Sequence, residues 1–155
     1  MFEKAIGFLL DNACINIRYM IHRDILKVPA NDRLMEKMQA EVLQQPTVRN
    51  RLKKQHPDGW LGHELHGSDG MDSHIDALLR LSVEPESPYI QKAINALLAP
   101  EIAQQHKNYF AAGDALDADG RGGNRSITAL ILSTVRFPQD KQPLADEIQL
   151  SFNHL

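Results

Sequence analysis

Apolar residues recur at every third or fourth position along most of the chain, the spacing that places them on one face of an α-helix. The first clear example has its apolar positions at Cys14, Ile17, Ile21, Ile25 and Leu26. Prolines interrupt the pattern at intervals, where helices are expected to end. Strand-like alternation bounded by turn residues is not found in the sequence. The pattern therefore predicts an all-α fold.

Polar residues that precede several of the apolar runs predict where the helices begin. The candidate capping residues are Asn31 or Asp32, Asp72 or Ser73, and Ser87. Pro88 follows Ser87 directly and would occupy the first helical position, where proline fits best. Between residues 113 and 123 the chain is instead rich in glycine and polar residues, which predicts a loop.

The predicted helices form pairs of similar design. Ile75 and Ile127 each open an Ile-x-Ala-Leu helix, which is followed by a proline-bearing break and a second amphipathic helix. The expected hairpins, including a weaker earlier copy, cover approximately residues 13–45, 72–99 and 124–155. Because one hairpin cannot bury its apolar face alone, we expect a single domain, residues 1–155, made of stacked antiparallel αα-hairpins.

Composition and charge are those of an ordinary globular protein. The chain has 155 residues, 43% of them apolar, and a net charge of −3, which suits one domain with a sizeable core. The densest basic run, residues 49–54, has the pattern of a solvated helix face, so nucleic-acid binding is not expected.

The single cysteine, Cys14, lies in an apolar run and is expected to be buried. The sequence shows no signal peptide and no apolar stretch of about 20 residues, so we expect a cytoplasmic protein without a membrane span.

Three segments resemble repeat proteins of one superfamily. Residues 16–26, NIRYMIHRDIL, resemble the opening helix of bacterial cyclase-like repeat proteins. In KKQHPDGWLG, Gln55, Gly59 and Trp60 match the Gln-x-x-x-Gly-x-Trp motif of those cyclases, with one residue fewer between Gly59 and Trp60. Residues 72–98 resemble their inner-then-outer helix pair. On these residues the chain resembles the α/α-toroid superfamily of terpenoid cyclases and protein prenyltransferases.

The resemblance implies an α/α-toroid-like arc of hairpins. A closed toroid of that superfamily takes about six hairpins, whereas this chain holds about three. A partial toroid or superhelix, a homo-oligomer, and a longer native chain that continues past Leu155 are the alternatives that would account for the difference.

The resemblance also points to two acids. Cyclases of the superfamily protonate their substrate with an Asp-x-Asp-Asp motif. Asp117 and Asp119 match its first and third positions and are the candidate catalytic acids, while Gly120 replaces the last acid. A solvated loop is the alternative for both. The aromatic content of 6% offers few rings for stabilising carbocations by cation–π attraction, which argues against terpene cyclisation.

A histidine-rich segment suggests a metal site. His63, His66, Asp69 and His74 could supply the four ligands of a tetrahedral site. The alternative is a polar loop whose aspartates and glycines form turns and helix caps. The zinc site of prenyltransferases does not carry over, because it uses a cysteine and this segment has none. A divalent metal is thus the only cofactor that the sequence raises, and none is assigned.

Three further residues are candidates for binding. Arg18 and His22 are four positions apart, so they share one helix face and can either join a hydrogen-bond network or contact a ligand. Trp60 can pack at a repeat junction or line an apolar cavity. Residues 120–124, GRGGN, could also offer backbone N–H groups to an anion ahead of a helix.

These observations favour a non-catalytic helical-repeat domain that binds a protein partner or a small apolar ligand. The alternative is an enzyme, a lyase or transferase that acts on an isoprenoid-like substrate with or without a metal. An enzyme would need a deep pocket where the 55–74 and 114–124 loops meet, whereas a binding domain needs only a groove.

Overall fold

The computed structural model describes residues 2–107 and 111–153. These residues form ten α-helices and one π-helical turn, and no β-strand is present among them, which confirms the all-α prediction. The elements are α1 (Phe2–Asn12), α2 (Ile15–Met20), the π-helical turn (Ile21–Ile25), α3 (Arg33–Gln44), α4 (Pro46–Leu52), α5 (Met71–Arg80), α6 (Pro88–Leu98), α7 (Pro100–Lys107), α8 (Ala111–Ala118), α9 (Asn124–Thr134) and α10 (Leu144–Asn153). Within the two described ranges, no helix combines the length and the apolar character that crossing a membrane requires.

The contacts divide the chain into two compact units, Met1–Arg51 with Leu78–Glu84, and Leu52–Ala77 with Pro85–Leu155. Each predicted hairpin contains two of the observed helices, which are α2 and α3, α5 and α6, and α9 and α10. The single domain expected from the sequence stays a prediction.

In the first unit, α2 packs against α3. The buried apolar side chains of these elements and of the π-helical turn are Ile15, Tyr19, Ile21, Met35, Met38 and Val42. The predicted cap of α3 is confirmed, because the side chain of Asp32 accepts a hydrogen bond of 2.8 Å from the backbone N–H of Leu34.

The apolar face predicted for the first helix of this unit is largely wrong. The exposed members of the predicted set are Cys14, Ile17, Ile25 and Leu26. The helix instead buries Ile15 and Tyr19, one turn apart, so its inner face is rotated from the predicted one. The π-helical turn then adds a residue to the helical period, and the apolar positions beyond Ile21 no longer continue the face.

In the second unit, α6 packs against α7, and α9 packs against both α8 and α10. Ser87 caps α6, since its Oγ accepts a hydrogen bond of 3.4 Å from the N–H of Ile90, and Pro88 takes the first helical position as predicted. Fully buried side chains come from the segment before α5 and from α5, α6 and α9; the largest are Trp60, Leu61, Leu65, Met71, Ile75, Ile90, Ile131 and Leu132.

Two predictions about this unit are wrong. Asp72 and Ser73 lie inside the first turn of α5 rather than before it, because the helix already begins at Met71. The predicted loop at residues 113–123 is helical up to Ala118. Alanine and leucine favour a helix in this stretch, and the glycines end it, with Gly120 in the left-handed region at φ +70°.

Candidate functional site

A cavity of about 600 Å³ lies in the second unit. Helices α6 to α10 contribute to its lining, and we call it the α6–α10 cavity. Its apolar wall includes Leu97, Leu98, Ala103 and Leu150. Its polar wall includes Asp114, Asn124, Thr128, Asp146 and Glu147. The cavity is therefore amphipathic, with apolar and hydrogen-bonding surfaces in one space.

Two polar side chains of α9 lie one helical turn apart in this lining. Asn124 is only 4% exposed and Thr128 only 6%. The side-chain Nδ2 of Asn124 donates a hydrogen bond of 2.7 Å to Oδ1 of Asp114. Because an ionised carboxylate only accepts hydrogen bonds, this contact fixes the orientation of the amide and leaves its Oδ1 as the remaining acceptor.

Neither Asn124 Oδ1 nor Thr128 Oγ1 has a hydrogen-bond partner in the described part of the chain. A buried polar atom without a partner costs about 1–3 kcal/mol relative to a satisfied one. Both atoms belong to residues of α9 that line the same cavity, and this combination indicates a surface that a bound molecule would complete.

Glu147 of α10 supplies a third polar atom. Its Oε1 accepts a hydrogen bond of 3.0 Å from Ser126 Oγ. Its Oε2 lies 3.5 Å from Nε of Arg125 and forms no hydrogen bond within the described residues. The carboxylate thus contacts α9 through both oxygens, by the hydrogen bond at Oε1 and by the ion pair with Arg125 at Oε2, and Oε2 still lacks a hydrogen-bond donor.

Of the two predicted catalytic acids, Asp117 lies in α8 and is hydrogen-bonded, whereas Asp119 follows α8 and is exposed. Asp117 stabilises the start of α9, because its Oδ1 accepts a hydrogen bond of 2.6 Å from the N–H of Gly123 and its Oδ2 one of 3.2 Å from the N–H of Arg125. Gly123 belongs to the segment that was expected to bind an anion, and Arg125 follows that segment directly, so these backbone donors bind a carboxylate of the chain itself. Asp119 lies exposed just beyond α8. A catalytic role for either residue stays a prediction.

The predicted binding residue Trp60 is completely buried. Its indole stacks on the imidazole of His106 from α7, with ring centroids 4.7 Å apart. Asp58 joins both residues, since its Oδ1 accepts a hydrogen bond of 2.9 Å from the backbone N–H of Trp60 and its Oδ2 one of 2.9 Å from Nε2 of His106. Burial opposes the ionised form, but these two hydrogen bonds together lower the pKa of Asp58 below its ordinary value.

Gln55 and Gly59 fix the same loop on α6. Nε2 of Gln55 donates hydrogen bonds to the carbonyl oxygens of Gly59, at 3.0 Å, and Tyr89, at 2.9 Å. Gly59 has a φ of +106°, and a Cβ there would lie 2.7 Å from the carbonyl oxygen of Lys92. The motif residues Gln55, Gly59 and Trp60 therefore form a packed junction with α6 and α7.

The predicted metal ligands lie in two His–Asp pairs. The buried His74 donates from Nε2 to Asp69 Oδ1 at 2.7 Å, and His66 Nδ1 lies 2.6 Å from Asp72 Oδ2. The hydrogen bond from His74, with help from Lys54, lowers the pKa of Asp69.

The described residues include no group of three or more His, Cys, Asp or Glu side chains that could hold a metal ion. The four-ligand set predicted from the sequence is thus not assembled, because His66 and His74 each face a different carboxylate. His63 lies exposed beside a shallow depression that Lys53, Lys54 and His56 also line. The enzyme alternative requires the 55–74 and 114–124 segments to meet in one pocket, whereas residues of the two segments line separate ones.

In the first unit, a hydrogen-bond network is built on Arg23. Its Nη1 donates to Glu84 Oε1 at 2.9 Å, and its guanidinium lies 5.9 Å from the centre of the Tyr19 ring. Burial and the neighbouring Glu84 carboxylate raise the pKa of Tyr19. Among the described residues, Nε of Arg18 and Nδ1 of His22 have no hydrogen-bond partner, and their predicted binding role stays a prediction.

Asn124, Thr128 and Glu147 were not singled out by the sequence patterns. A signal was available for the first two, which stand four positions apart and therefore share one face of the predicted helix. Nothing in the sequence indicated that α10 would bring Glu147 to the same place.

Comparison of the chain with protein-family models, curated proteins and solved structures found no match. The resemblance to the α/α-toroid superfamily therefore stays a prediction.

Proposed function

We propose that the chain is a helical binding domain that takes a small amphipathic molecule into the α6–α10 cavity. The observation that carries the proposal is a pair of buried polar atoms, Asn124 Oδ1 and Thr128 Oγ1, which belong to residues that line the cavity and have no partner among the described residues. A ligand that hydrogen-bonds to both would remove a cost of about 1–3 kcal/mol for each atom.

The dimensions and lining of the cavity support a small molecule. A volume of about 600 Å³ lies inside the range of roughly 300–1,000 Å³ that is usual for small-molecule sites. Leu97, Leu98 and Leu150 offer an apolar surface for the body of the ligand. Asn124 and Thr128 offer the few convergent polar groups that orient a ligand in such sites.

For the fold, we propose the finer description expected from the sequence, an α/α-toroid-like array of αα-hairpins. The pairs α2–α3, α5–α6 and α9–α10 would be its repeats. The support is the agreement of the helix bounds with the predicted hairpins and the packing of Gln55, Gly59 and Trp60 at a helix junction.

Octan-1-ol, with an apolar body and one hydroxyl, is a suitable probe for the binding proposal. Titration of nitrogen-15-labelled protein should give saturable chemical-shift changes that centre on α9 and on the facing parts of α6 and α10. Ala129 lines the cavity, so Ala129→Phe should fill it and abolish these changes.

Ala118→Phe places the same side chain at an exposed position of α8 and is the matched control. It should keep the binding of wild-type protein. Thermal unfolding would verify that both variants fold, and Leu150→Trp offers a second way to fill the cavity. Shifts that do not saturate, or that persist in both filled variants, would contradict the proposal.

A further inference from the structure

We infer that the α6–α10 cavity selects a ligand whose polar head is a protonated amine. The inference rests on the proposed function and adds the charge of the ligand to it. Four carboxylates line the cavity, namely Asp114, Asp117, Asp146 and Glu147. Arg125 is the only cationic side chain in the described lining.

The acidic residues alone would not define a site, since a solvated acidic surface is common. The second observation is independent of their charge. Asn124, more than nine-tenths buried, has its amide nitrogen engaged with Asp114 and presents an oxygen that has no partner in the described chain. That oxygen can only accept, so the site requires a donor from the ligand.

The remaining polar atoms can also accept from a ligand donor. Oε2 of Glu147 is also an acceptor without a hydrogen bond in the described residues, and the hydroxyl of Thr128 can accept as well as donate. An alkylammonium group has three N–H donors and no acceptor, as the side chain of lysine does. An alcohol has one donor, and a carboxylate has none and would be repelled by Glu147 and Asp146.

The groups that would hold an anion are already engaged. Arg125 Nε lies 3.5 Å from Asp117 Oδ1 and 3.5 Å from Glu147 Oε2. The N–H groups at the start of α9 donate to Asp117. An incoming anion would therefore compete with two carboxylates for one guanidinium. An ammonium group would instead share Oε2 of Glu147 with Arg125, and that oxygen forms no hydrogen bond within the described residues.

Three probes of equal chain length test the inference at pH 7, namely octylammonium, octan-1-ol and octanoate. Because hydrogen bonds to charged groups contribute more than neutral ones, octylammonium should bind about tenfold or more tightly than octan-1-ol, and octanoate should bind most weakly. Glu147→Gln should bring the ratio of the first two affinities towards one. Glutamine can still accept the hydrogen bond from Ser126, so this variant changes the charge with little change of structure.

Asp140→Asn removes an exposed carboxylate from the turn before α10 and is the matched control, which should keep the wild-type ratio. Equal binding of octan-1-ol and octylammonium would overturn the inference and leave the proposed function standing. If Asp140→Asn and Glu147→Gln lowered the ratio of octylammonium affinity to octan-1-ol affinity equally, the inference would also be overturned, because the preference would then come from the overall charge. Failure of all three probes to bind would overturn the proposed function together with the inference.

Discussion

The indole of Trp60 lies flat against the imidazole of His106, with the ring planes 5° from parallel. Asp58 accepts a hydrogen bond from each of the two residues and so fixes the stack from its edge. A histidine from α7 thereby covers the only tryptophan of the chain, which lies 46 positions earlier. The contact joins the loop after α4 to α7, and α7 contributes Pro100 and Ala103 to the α6–α10 cavity.

The stack should contribute measurably to stability. His106→Ala removes one ring and the partner of Asp58, and we expect it to lower the free energy of unfolding by about 1–3 kcal/mol. Water would then reach the indole, so the emission of Trp60 should shift to longer wavelength. His56 meets His106 edge-on at 5.1 Å, and His56→Ala should have the smaller effect on both readouts. Unchanged emission in His106→Ala would show that the stack does not protect Trp60.

Gly59 should be irreplaceable for steric reasons. Gly59→Ala would put a Cβ 2.7 Å from the Lys92 carbonyl oxygen on a residue with a φ of +106°. We expect this substitution to lower the free energy of unfolding by about 2–4 kcal/mol. Gly120→Ala is the matched control, since Gly120 also has a positive φ but a Cβ there meets open space within the described structure. Gly120→Ala should lower the free energy of unfolding by about 1 kcal/mol. Urea unfolding measures both, and equal losses would mean that the contact with Lys92 is not tight.

Asp58 should make stability depend on pH in the acid range. Its pKa in the folded protein is lowered, so its carboxylate contributes stability above the unfolded pKa of about 3.9, and that contribution is lost as the pH falls through the lower folded value. Asp58→Asn should therefore be less stable than wild-type protein at pH 7, and the difference should shrink as the pH is lowered from 5 to 3.

Urea titrations across this pH range measure the difference. Asp140→Asn, an exposed substitution, should stay within about 0.5 kcal/mol of wild-type protein at pH 7. A difference between Asp58→Asn and wild-type protein that remains constant down to pH 3 would argue against an ionised Asp58 in these hydrogen bonds.

Asp117 and Asp119 should differ sharply when each is replaced by alanine. Asp117 accepts backbone hydrogen bonds at the start of α9, and loss of such a cap typically costs about 0.5–2 kcal/mol. Asp119 is exposed, and Asp119→Ala should change stability by less than about 0.5 kcal/mol. Thermal and urea unfolding separate the two cases. Equal effects would show that the cap does not stabilise α9.

Local features of the fold were predictable where the sequence pattern is strong. The sequence predicts Asp32 and Ser87 as caps because a short polar side chain directly before an apolar run can accept a hydrogen bond from a backbone N–H in the first turn of the helix. The turn at Asp58 and Gly59 was predictable for a similar reason. In such places local chemistry and the final structure agree.

Other features depend on contacts between distant parts of the chain. The inner face of α2 could not be inferred from apolar spacing, because the π-helical turn that follows it shifts the helical period. The pairing of His66 with Asp72 and of His74 with Asp69 depends on how the glycines fold the loop back on itself. The cavity depends on where α10 places Glu147 against α9, and neither helix carries that information alone.

Thr128→Val tests most directly whether Thr128 and Asn124 are left unpartnered for a ligand. Urea unfolding of wild-type and variant protein, each with and without octylammonium, measures the stability of each protein alone and the stability that each gains from the probe. Without the probe, Thr128→Val should be as stable as wild-type protein or more stable, because it removes a buried hydroxyl without a described partner. With the probe, wild-type protein should gain more stability than the variant at equal concentration. A variant that is less stable without the probe, and that gains as much as wild-type protein with it, would contradict the account.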